Sequence, residues 1–239
     1  MTERNQSNTK REIKGIIFDV DGILLDTETI LFQVEKEIVK KFSPNEKVTI
    51  SDKNRSKYIG ISASHACEYL IKKFSLPFEV NNLVLLRRNL FRERESNCKQ
   101  MKGAQRLVSH LAKCGYPLAL ATSSTKVDMR IKFTRHRRLR EYFGDNVCCR
   151  EDVKQAKPNP EVFLLAAEKI GIDPKNCIIF EDSITGLKAA KESGAIAIHV
   201  PQEEAQKKHQ ICVNETLSSL LDFVPEKYGI KPFPTEMEN

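Results

Sequence analysis

The sequence lacks any apolar run that approaches about 20 residues, the length that a membrane-spanning helix needs. Its first dozen residues are polar and include two acids, a composition that a secretory signal peptide does not have. Tandem repeats and low-complexity tracts are also absent. These absences argue against a helical membrane protein and a repeat array. We therefore expect a cytoplasmic protein without a membrane partner.

The cysteines form no C-x-x-C pair, and their number is odd. They are Cys67, Cys98, Cys114, Cys148, Cys149, Cys177 and Cys212. This usage argues against a disulfide framework or a structural zinc site and fits reduced thiols. We interpret the adjacent pair at 148 and 149 as small core residues.

Positive charge is concentrated in one stretch of the chain. The formal net charge is +7, and residues 126–140 carry seven basic side chains against one acid. Apolar residues recur there at roughly helical spacing, at Met129, Phe133, Leu139 and Phe143. We interpret the stretch as an amphipathic helix with a solvated basic face. A patch for nucleic acid or another anionic partner, and a rim that attracts phosphorylated substrates, remain as alternatives. Aromatic residues that could stack on bases do not accompany the charges, so a nucleic-acid partner is not expected.

Short apolar runs alternate with helical patterns, which predicts an α/β fold with a parallel sheet and helices on both of its faces. The predicted strands are 15–20, 117–122, 146–149, 177–180 and 195–200. The predicted helices between them are 103–114, 126–142, 160–170 and 185–193. For the helix 160–170, Asn159 is a candidate cap, Pro160 suits the first position, and Gly171 can end the helix in the left-handed conformation.

Residues 29–97 break this alternation, because they show three helical patterns and no convincing strand. The patterns cover 31–42, 63–74 and 81–91. We expect an all-helical cap, inserted after the first strand, that acts as a lid. The predicted division is a disordered tail at 1–12, a catalytic core at 13–28 and 98–230, a cap at 29–97, and a loose tail at 231–239.

Two aspartates, Asp19 and Asp21, stand at the end of the apolar run in IIFDVDG. Residues two apart on a strand point to the same side, so both carboxylates can face one reacting centre. In open α/β sheets, ligands bind in the crevice at the carboxyl ends of the strands. Asp26 lies five residues beyond Asp21, and we expect it to brace the loop rather than to react.

Three later features fall at the same edge if the sheet is parallel. In the run LALATSS, Thr122 and Ser123 follow the apolar residues. They can cradle a phosphate at a helix start or simply cap that helix. Lys157 in AKPNP precedes a helix that begins with proline, and on its own it is interpreted as a surface lysine. Glu181 and Asp182 end the apolar run in IIFEDS.

The order of these four motifs resembles that of the haloacid dehalogenase superfamily of phosphohydrolases, from about residue 14 to residue 233. More narrowly, the chain is similar to the pseudouridine-5'-phosphatase group and its relatives, which include glycerol-3-phosphatases. The segments that carry this similarity are FDVDGILLDTE, LALATSS, Thr134-Arg135-His136, KPNP, FEDS and DFVPEKYGI. The resemblance implies a Rossmann-like core with a small helical cap.

The resemblance implies that Asp19 attacks phosphorus and forms an aspartyl-phosphate. It implies that Asp21 protonates the departing alcohol and later takes a proton from water. A carboxylic acid needs a raised pKa to donate a proton near neutrality, and we expect burial under a closed cap to raise that of Asp21.

A Mg²⁺ cofactor follows from the same resemblance and from the repulsion between carboxylates and phosphate. The implied ligands are the side chains of Asp19 and Asp182 and the backbone carbonyl of Asp21. Glu181 is either a ligand or a residue that orients a metal-bound water. The implied phosphate-binding residues are Thr122, Ser123 and Lys157.

Two departures from the family pattern concern the loop of the lysine. Ala156 stands where relatives often have glycine, and Arg150-Glu151-Asp152 replaces a common Gly-Asp-Asp. Neither departure removes a catalytic atom. β-Phosphoglucomutases in the family have a histidine and a basic residue where this chain has Leu31 and Ala63, which disfavours a sugar-phosphate mutase.

We therefore expect a monomeric, Mg²⁺-dependent phosphomonoester hydrolase acting on a small phosphorylated metabolite, with pseudouridine 5'-phosphate as first choice. Glycerol 3-phosphate and sugar phosphates are the alternative substrates. A sugar-phosphate mutase and a non-enzymatic nucleic-acid-binding protein are the alternatives from other functional classes.

Overall fold

A computed structural model describes residues 11–45, 48–58, 61–202 and 213–234. Most of the two predicted tails, at 1–10 and 235–239, and Cys212 lie outside the described residues. The main sheet has six strands, which are β1 (Gly15–Phe18), β4 (Leu118–Ala121), β5 (Val147–Cys148), β6 (Cys177–Glu181), β7 (Ile196–His199) and β8 (Glu215–Thr216). All its neighbouring strands are parallel, in the order β5-β4-β1-β6-β7-β8. The predicted α/β class is confirmed.

Helices cover both faces of this sheet. The side chains of each strand alternate in direction, so the apolar strands present apolar side chains to both faces. Ile16 and Phe18 pack into one core cluster with α5 (Ala104–Lys113), α6 (Lys126–Lys132) and α7 (Arg137–Glu141). Ile17 packs into the other cluster with α8 (Glu161–Lys169) and α9 (Ile184–Glu192). The central strand β1 is buried completely on both faces.

Four helices follow β1 in the chain, namely α1 (Thr27–Phe42), α2 (Asp52–Arg55), α3 (Ala63–Phe74) and α4 (Val80–Arg92). Helices α1, α3 and α4 share a core cluster of their own, which includes Val34, Leu70 and Leu83, whereas α2 has no buried residue. The chain passes from the sheet to these helices through β2 (Leu25–Asp26) and returns through β3 (Lys99–Gln100). The two short strands pair with each other in antiparallel orientation. No helix in the described part of the chain is long and apolar enough to span a bilayer.

Helix α1 begins four residues earlier than predicted, so the expected boundary between residues 28 and 29 falls inside it. Asp26 is its N-cap: the carboxylate accepts hydrogen bonds from the amide (3.1 Å) and hydroxyl (2.8 Å) of Thr29. Asp26 therefore braces the start of a helix, where a side-chain acceptor satisfies an unpaired amide.

The prediction of one continuous helix over 126–142 is wrong. Helix α6 ends at Lys132, a 3₁₀ turn covers Phe133–Arg135, and α7 starts at Arg137. Phe133 and Leu139 are both buried in the same cluster. On a continuous helix, residues six apart point about 120° away from each other. The tighter turn brings both side chains to the sheet, and it divides the basic stretch into two short helices.

Smaller differences from the prediction occur at helix ends and at short strands. Helix α8 starts one residue later than predicted, with Pro160 at the N-cap, while the Asn159 side chain accepts from the amide of Glu161 at 3.0 Å. Gly171 has the predicted left-handed backbone, with φ of +69°. The two-residue strands β2, β3 and β8 were not predicted, because two residues are too few for a periodic pattern.

Stacked aromatic rings fix the centre of the sheet, and they give a test of its stability. Phe18 and Phe180 stack with ring centroids 4.9 Å apart, and both are fully buried. We expect Phe180→Ala to lower the free energy of unfolding by about 3–5 kcal/mol, because it leaves a cavity between strand and helix layers. Leu164→Ala, at a side chain 42% exposed, should change it by less than about 0.5 kcal/mol. Urea denaturation measures both, and equal losses would contradict this view of the core.

Candidate active site

A cavity of about 780 Å³ lies between the carboxyl edge of the sheet and the helices α1 to α4. The strands β1, β4 and β6 are neighbours and end at this edge. Of the seven predicted site residues, six line the cavity: Asp19, Asp21, Ser123, Lys157, Glu181 and Asp182. Thr122 follows β4 and is 1% exposed, and its hydroxyl accepts a hydrogen bond from the amide of Ser124 at 3.0 Å. The structure thus brings the four motifs together.

The side chain of Lys157 is only 5% exposed, and it links the first and fourth motifs. Its Nζ donates to Asp19 Oδ1 and to Glu181 Oε1, each at 2.8 Å, and to the carbonyl of Ala121 at 3.2 Å. These contacts use all three donors of the ammonium group. Burial alone would lower the pKa of Lys157, but the two carboxylates raise it above its ordinary value. The surface-lysine interpretation is therefore wrong.

Three buried carboxylates, Asp19, Glu181 and Asp182, have oxygens within 4.8 Å of one another. Burial raises the pKa of Asp19 to about 7, although Lys157 acts in the opposite direction. Burial and the charges of Glu181 and Asp19 raise the pKa of Asp182 well above its ordinary value. Such a crowded set of hard oxygen donors fits Mg²⁺, which prefers carboxylates, carbonyls and water.

The contacts of Glu181 differ from those of the two aspartates. Glu181 Oε1 accepts from Lys157, and Oε2 accepts from the amide of Ser183 at 2.6 Å. Each of its oxygens thus already accepts one hydrogen bond and keeps a further lone pair, so both roles named for Glu181, as a ligand or as an orienting residue, fit these contacts.

Two glycines let the backbone come close to these carboxylates. Gly22 has φ of +78°, and a Cβ there would lie 2.2 Å from Asp182 Oδ2. A Cβ on Gly186 would lie 1.6 Å from Glu181 Oε1. Since carbon and oxygen cannot approach so closely, no other residue fits at either position without moving a site carboxylate.

Asp21 is held by two residues that the sequence analysis missed. Lys132 Nζ lies 2.6 Å from Asp21 Oδ1, and the Ser124 hydroxyl donates to Oδ2 at 2.7 Å. Burial acts to raise the pKa of Asp21, but the charge of Lys132 and these hydrogen bonds lower it below its ordinary value. The expectation of a raised pKa is wrong for this arrangement. A sequence signal existed, since Lys132 is three residues after the buried Met129 and so shares the apolar side of α6.

The cap side of the cavity contains paired charges that were also missed. Glu35 is 2% exposed; its Oε1 accepts from Arg87 Nε at 2.8 Å, and its Oε2 accepts from the Tyr58 hydroxyl at 2.8 Å. Arg55 donates to the Glu28 carboxylate (3.4 Å) and carbonyl (3.2 Å). The sequence did contain a signal for Glu35. This acid lies between Val34 and Ile38 on the apolar side of α1, where a charged side chain needs a partner.

The two positions that distinguish a mutase, Leu31 and Ala63, also line the cavity. Neither side chain can accept or donate a proton.

The raised pKa of Asp19 predicts a specific dependence of stability on pH in the protein without added divalent cation. A carboxyl group with a raised pKa in the folded state stabilises the fold fully below its ordinary pKa of 3.8 and loses that contribution as the pH rises through about 7. Asp19→Asn removes this titration. We expect the variant to be more stable than the parent at pH 8, by on the order of 1–3 kcal/mol, with the difference closing towards pH 4.

Urea denaturation in the presence of a chelator measures this difference. The matched control is Asp145→Asn at an exposed aspartate, for which the difference should not vary with pH in the same way. Parallel pH profiles for the parent and Asp19→Asn would contradict the buried-carboxylate account.

Comparison with known proteins places this site in a family. The model of the haloacid dehalogenase-like hydrolase family matches residues 16–200. The chain is 33% identical over 183 residues to the bifunctional riboflavin kinase/FMN phosphatase of Arabidopsis thaliana, which covers 77% of this chain and 48% of that protein. This chain therefore spans about half the length of that relative.

A second relative and a solved structure match over almost their full lengths. The chain is 30% identical over 227 residues to a Drosophila melanogaster protein named "Probable pseudouridine-5'-phosphatase", covering 93% of this chain and 96% of that protein. A crystal structure of a HAD hydrolase from Entamoeba histolytica superimposes with a TM-score of 0.73 at 24% identity, covering 90% of this chain and 97% of that chain. The chain belongs to the haloacid dehalogenase-like hydrolase family.

Proposed function

We propose that this phosphatase hydrolyses a small phosphomonoester, with pseudouridine 5'-phosphate as first choice, through an aspartyl-phosphate on Asp19 and with Mg²⁺ as cofactor. The observation that carries the proposal is the buried cluster in which Lys157 bridges Asp19 and Glu181 beside Asp182. A nucleophile, a fixed positive charge and a set of cation ligands thereby share one cavity wall. The similarity to a protein named as a pseudouridine-5'-phosphatase supports the choice of substrate.

In the proposed first step, an oxygen of Asp19 bonds to phosphorus while the bond from phosphorus to the alcohol oxygen breaks. Lys132 holds Asp21 as a carboxylate in the substrate-free site; when the negative phosphoryl group binds beside it, Asp21 takes a proton from solvent and gives it to the departing oxygen. In the second step a water attacks phosphorus, Asp21 takes its proton, and Asp19 is released as a carboxylate. Lys157 holds the carboxylate of Asp19 in place and offsets negative charge on the phosphoryl group.

Ser123 lines the cavity beside this centre, and we propose that it binds phosphate oxygens together with Thr122. The side chains of Asp19 and Asp182 and the carbonyl of Asp21 would hold Mg²⁺, with Glu181 orienting the site. Bound there, the ion would supply positive charge that offsets the carboxylates and the phosphate.

The size and polarity of the cavity support a nucleoside monophosphate. A volume of about 780 Å³ is within the usual range for sites that take ligands larger than glycerol phosphate. The cap side presents the pairs Glu35 with Arg87 and Glu28 with Arg55. Such groups can hydrogen-bond the hydroxyl and carbonyl groups of a ribose and a uracil ring.

We also propose the division into a core at 13–28 and 98–230 and a cap at 29–97 that closes over the substrate. The separate apolar core of α1, α3 and α4 supports this division. We propose that the protein works as a monomer in the cytoplasm, because one chain contains every residue that the proposed reaction uses.

Replacement of the nucleophile tests the proposed chemistry. We expect Asp19→Asn to lose at least about 10³-fold in turnover, because an amide does not form the covalent intermediate. Released inorganic phosphate measures turnover, and circular dichroism checks that the fold is retained. The exposed Asp145→Asn should keep the parent rate. Hydrolysis by folded Asp19→Asn at the parent rate would mean that another residue is the nucleophile.

A substrate panel tests the proposed specificity and cofactor. We expect kcat/KM for pseudouridine 5'-phosphate to exceed that for glycerol 3-phosphate and glucose phosphates by about tenfold or more, and we expect a chelator to abolish turnover until Mg²⁺ is restored.

A preference for glycerol 3-phosphate or a sugar phosphate would overturn the substrate and leave the reaction in place. An isomerised sugar phosphate as product would indicate a mutase. Salt-sensitive nucleic-acid binding without release of phosphate would support the non-enzymatic alternative.

A further inference from the structure

Lys132 is the only member of the basic stretch 126–140 that lies in the cavity wall at the reacting centre. It is 3% exposed, and its ammonium group donates to Asp21 Oδ1 at 2.6 Å and to the Ser124 hydroxyl at 2.7 Å. The same hydroxyl donates to Asp21 Oδ2 at 2.7 Å. These three contacts form a closed ring that fixes the direction of the Asp21 carboxylate.

The other side of Lys132 faces the segment through which the chain returns from the cap. Its ammonium lies 5.6 Å from the centre of the Phe91 ring in α4. Its backbone carbonyl accepts a hydrogen bond from Cys98 Sγ at 3.9 Å. Arg92 at the end of α4 pairs with Asp128 in α6 at 2.6 Å. Lys132 therefore stands between Asp21 and the connection from cap to core.

We propose that Lys132 is a positioning residue for the proposed reaction: with the Ser124 hydroxyl, it aims the Asp21 carboxyl group at the departing oxygen. The buried ammonium stays beside Asp21, because an unpaired buried charge is strongly unfavourable. Loss of the contact from Lys132 or of the contact from Ser124 lets Asp21 turn away from the substrate. The inference rests on the proposed function.

The dependence of rate on the leaving group separates positioning of Asp21 from a general structural role. An alkyl phosphate such as pseudouridine 5'-phosphate needs a proton on its departing oxygen, whereas p-nitrophenyl phosphate loses a stable phenolate without one. We expect Lys132→Met to lower kcat for the alkyl phosphate by about 100-fold and kcat for p-nitrophenyl phosphate by less than about 5-fold, with KM little changed.

Conservative and matched variants complete the test. Lys132→Arg should recover kcat for the alkyl phosphate to within about 10-fold of the parent, since it restores the charge. Ser124→Ala removes the hydroxyl that joins Lys132 to Asp21, and it should lower the alkyl phosphate rate selectively, by about 5-fold or more. Glu93→Gln, at an exposed residue, should leave both rates unchanged. Ser124→Ala decides the matter if Lys132→Met does not fold.

Each outcome has one meaning. Equal losses on both substrates, or a loss confined to KM, would overturn the positioning role, because they indicate damage to the fold or direct binding of substrate by Lys132. Unchanged rates in the folded Lys132 and Ser124 variants would overturn it as well. Failure of the parent protein to hydrolyse either phosphate would instead overturn the proposed function.

Discussion

The site depends on the contact of Lys157 with Asp19 and Glu181, each at 2.8 Å, inside a wall that excludes most solvent. Three carboxylates whose oxygens lie within 4.8 Å of one another repel strongly at low dielectric, and one ammonium offsets only part of that repulsion. The excess negative charge is what makes the cavity suitable for a divalent cation. Gly22 and Gly186 stand where the backbone passes closest to the carboxylates, because a Cβ at either position would collide with a carboxylate oxygen.

The sheet and the main acids could be predicted because their signals are local. Each central strand is a short apolar run. The residues that come directly after β1, β4 and β6 in the sequence are Asp19, Thr122 and Asp182. Parallel pairing then brings the ends to one edge without further information. The resemblance to the haloacid dehalogenase superfamily assigned the same residues to four motifs. The confirmed α/β class agrees with that resemblance.

The site residues that were missed take their roles from contacts between distant parts of the sequence. Lys132 and Asp21 are 111 positions apart, and Arg87 and Glu35 are 52 apart. Because Lys132 belongs to a run of basic residues, the sequence favours a solvent-exposed side chain. The 3₁₀ turn that follows α6 determines which side of this helix packs against the core, and the sequence pattern did not predict that turn. The cap pairs depend on how three helices pack, which periodicity alone does not specify.

The central claim is that a phosphoryl group passes through Asp19. The most direct measurement is reduction with borohydride of protein quenched during turnover, followed by peptide mass spectrometry, because this reagent converts an aspartyl-phosphate into homoserine. The account predicts homoserine at position 19 in the parent protein incubated with substrate and Mg²⁺. Active turnover with the modification at another carboxylate, or with none at position 19, would contradict it.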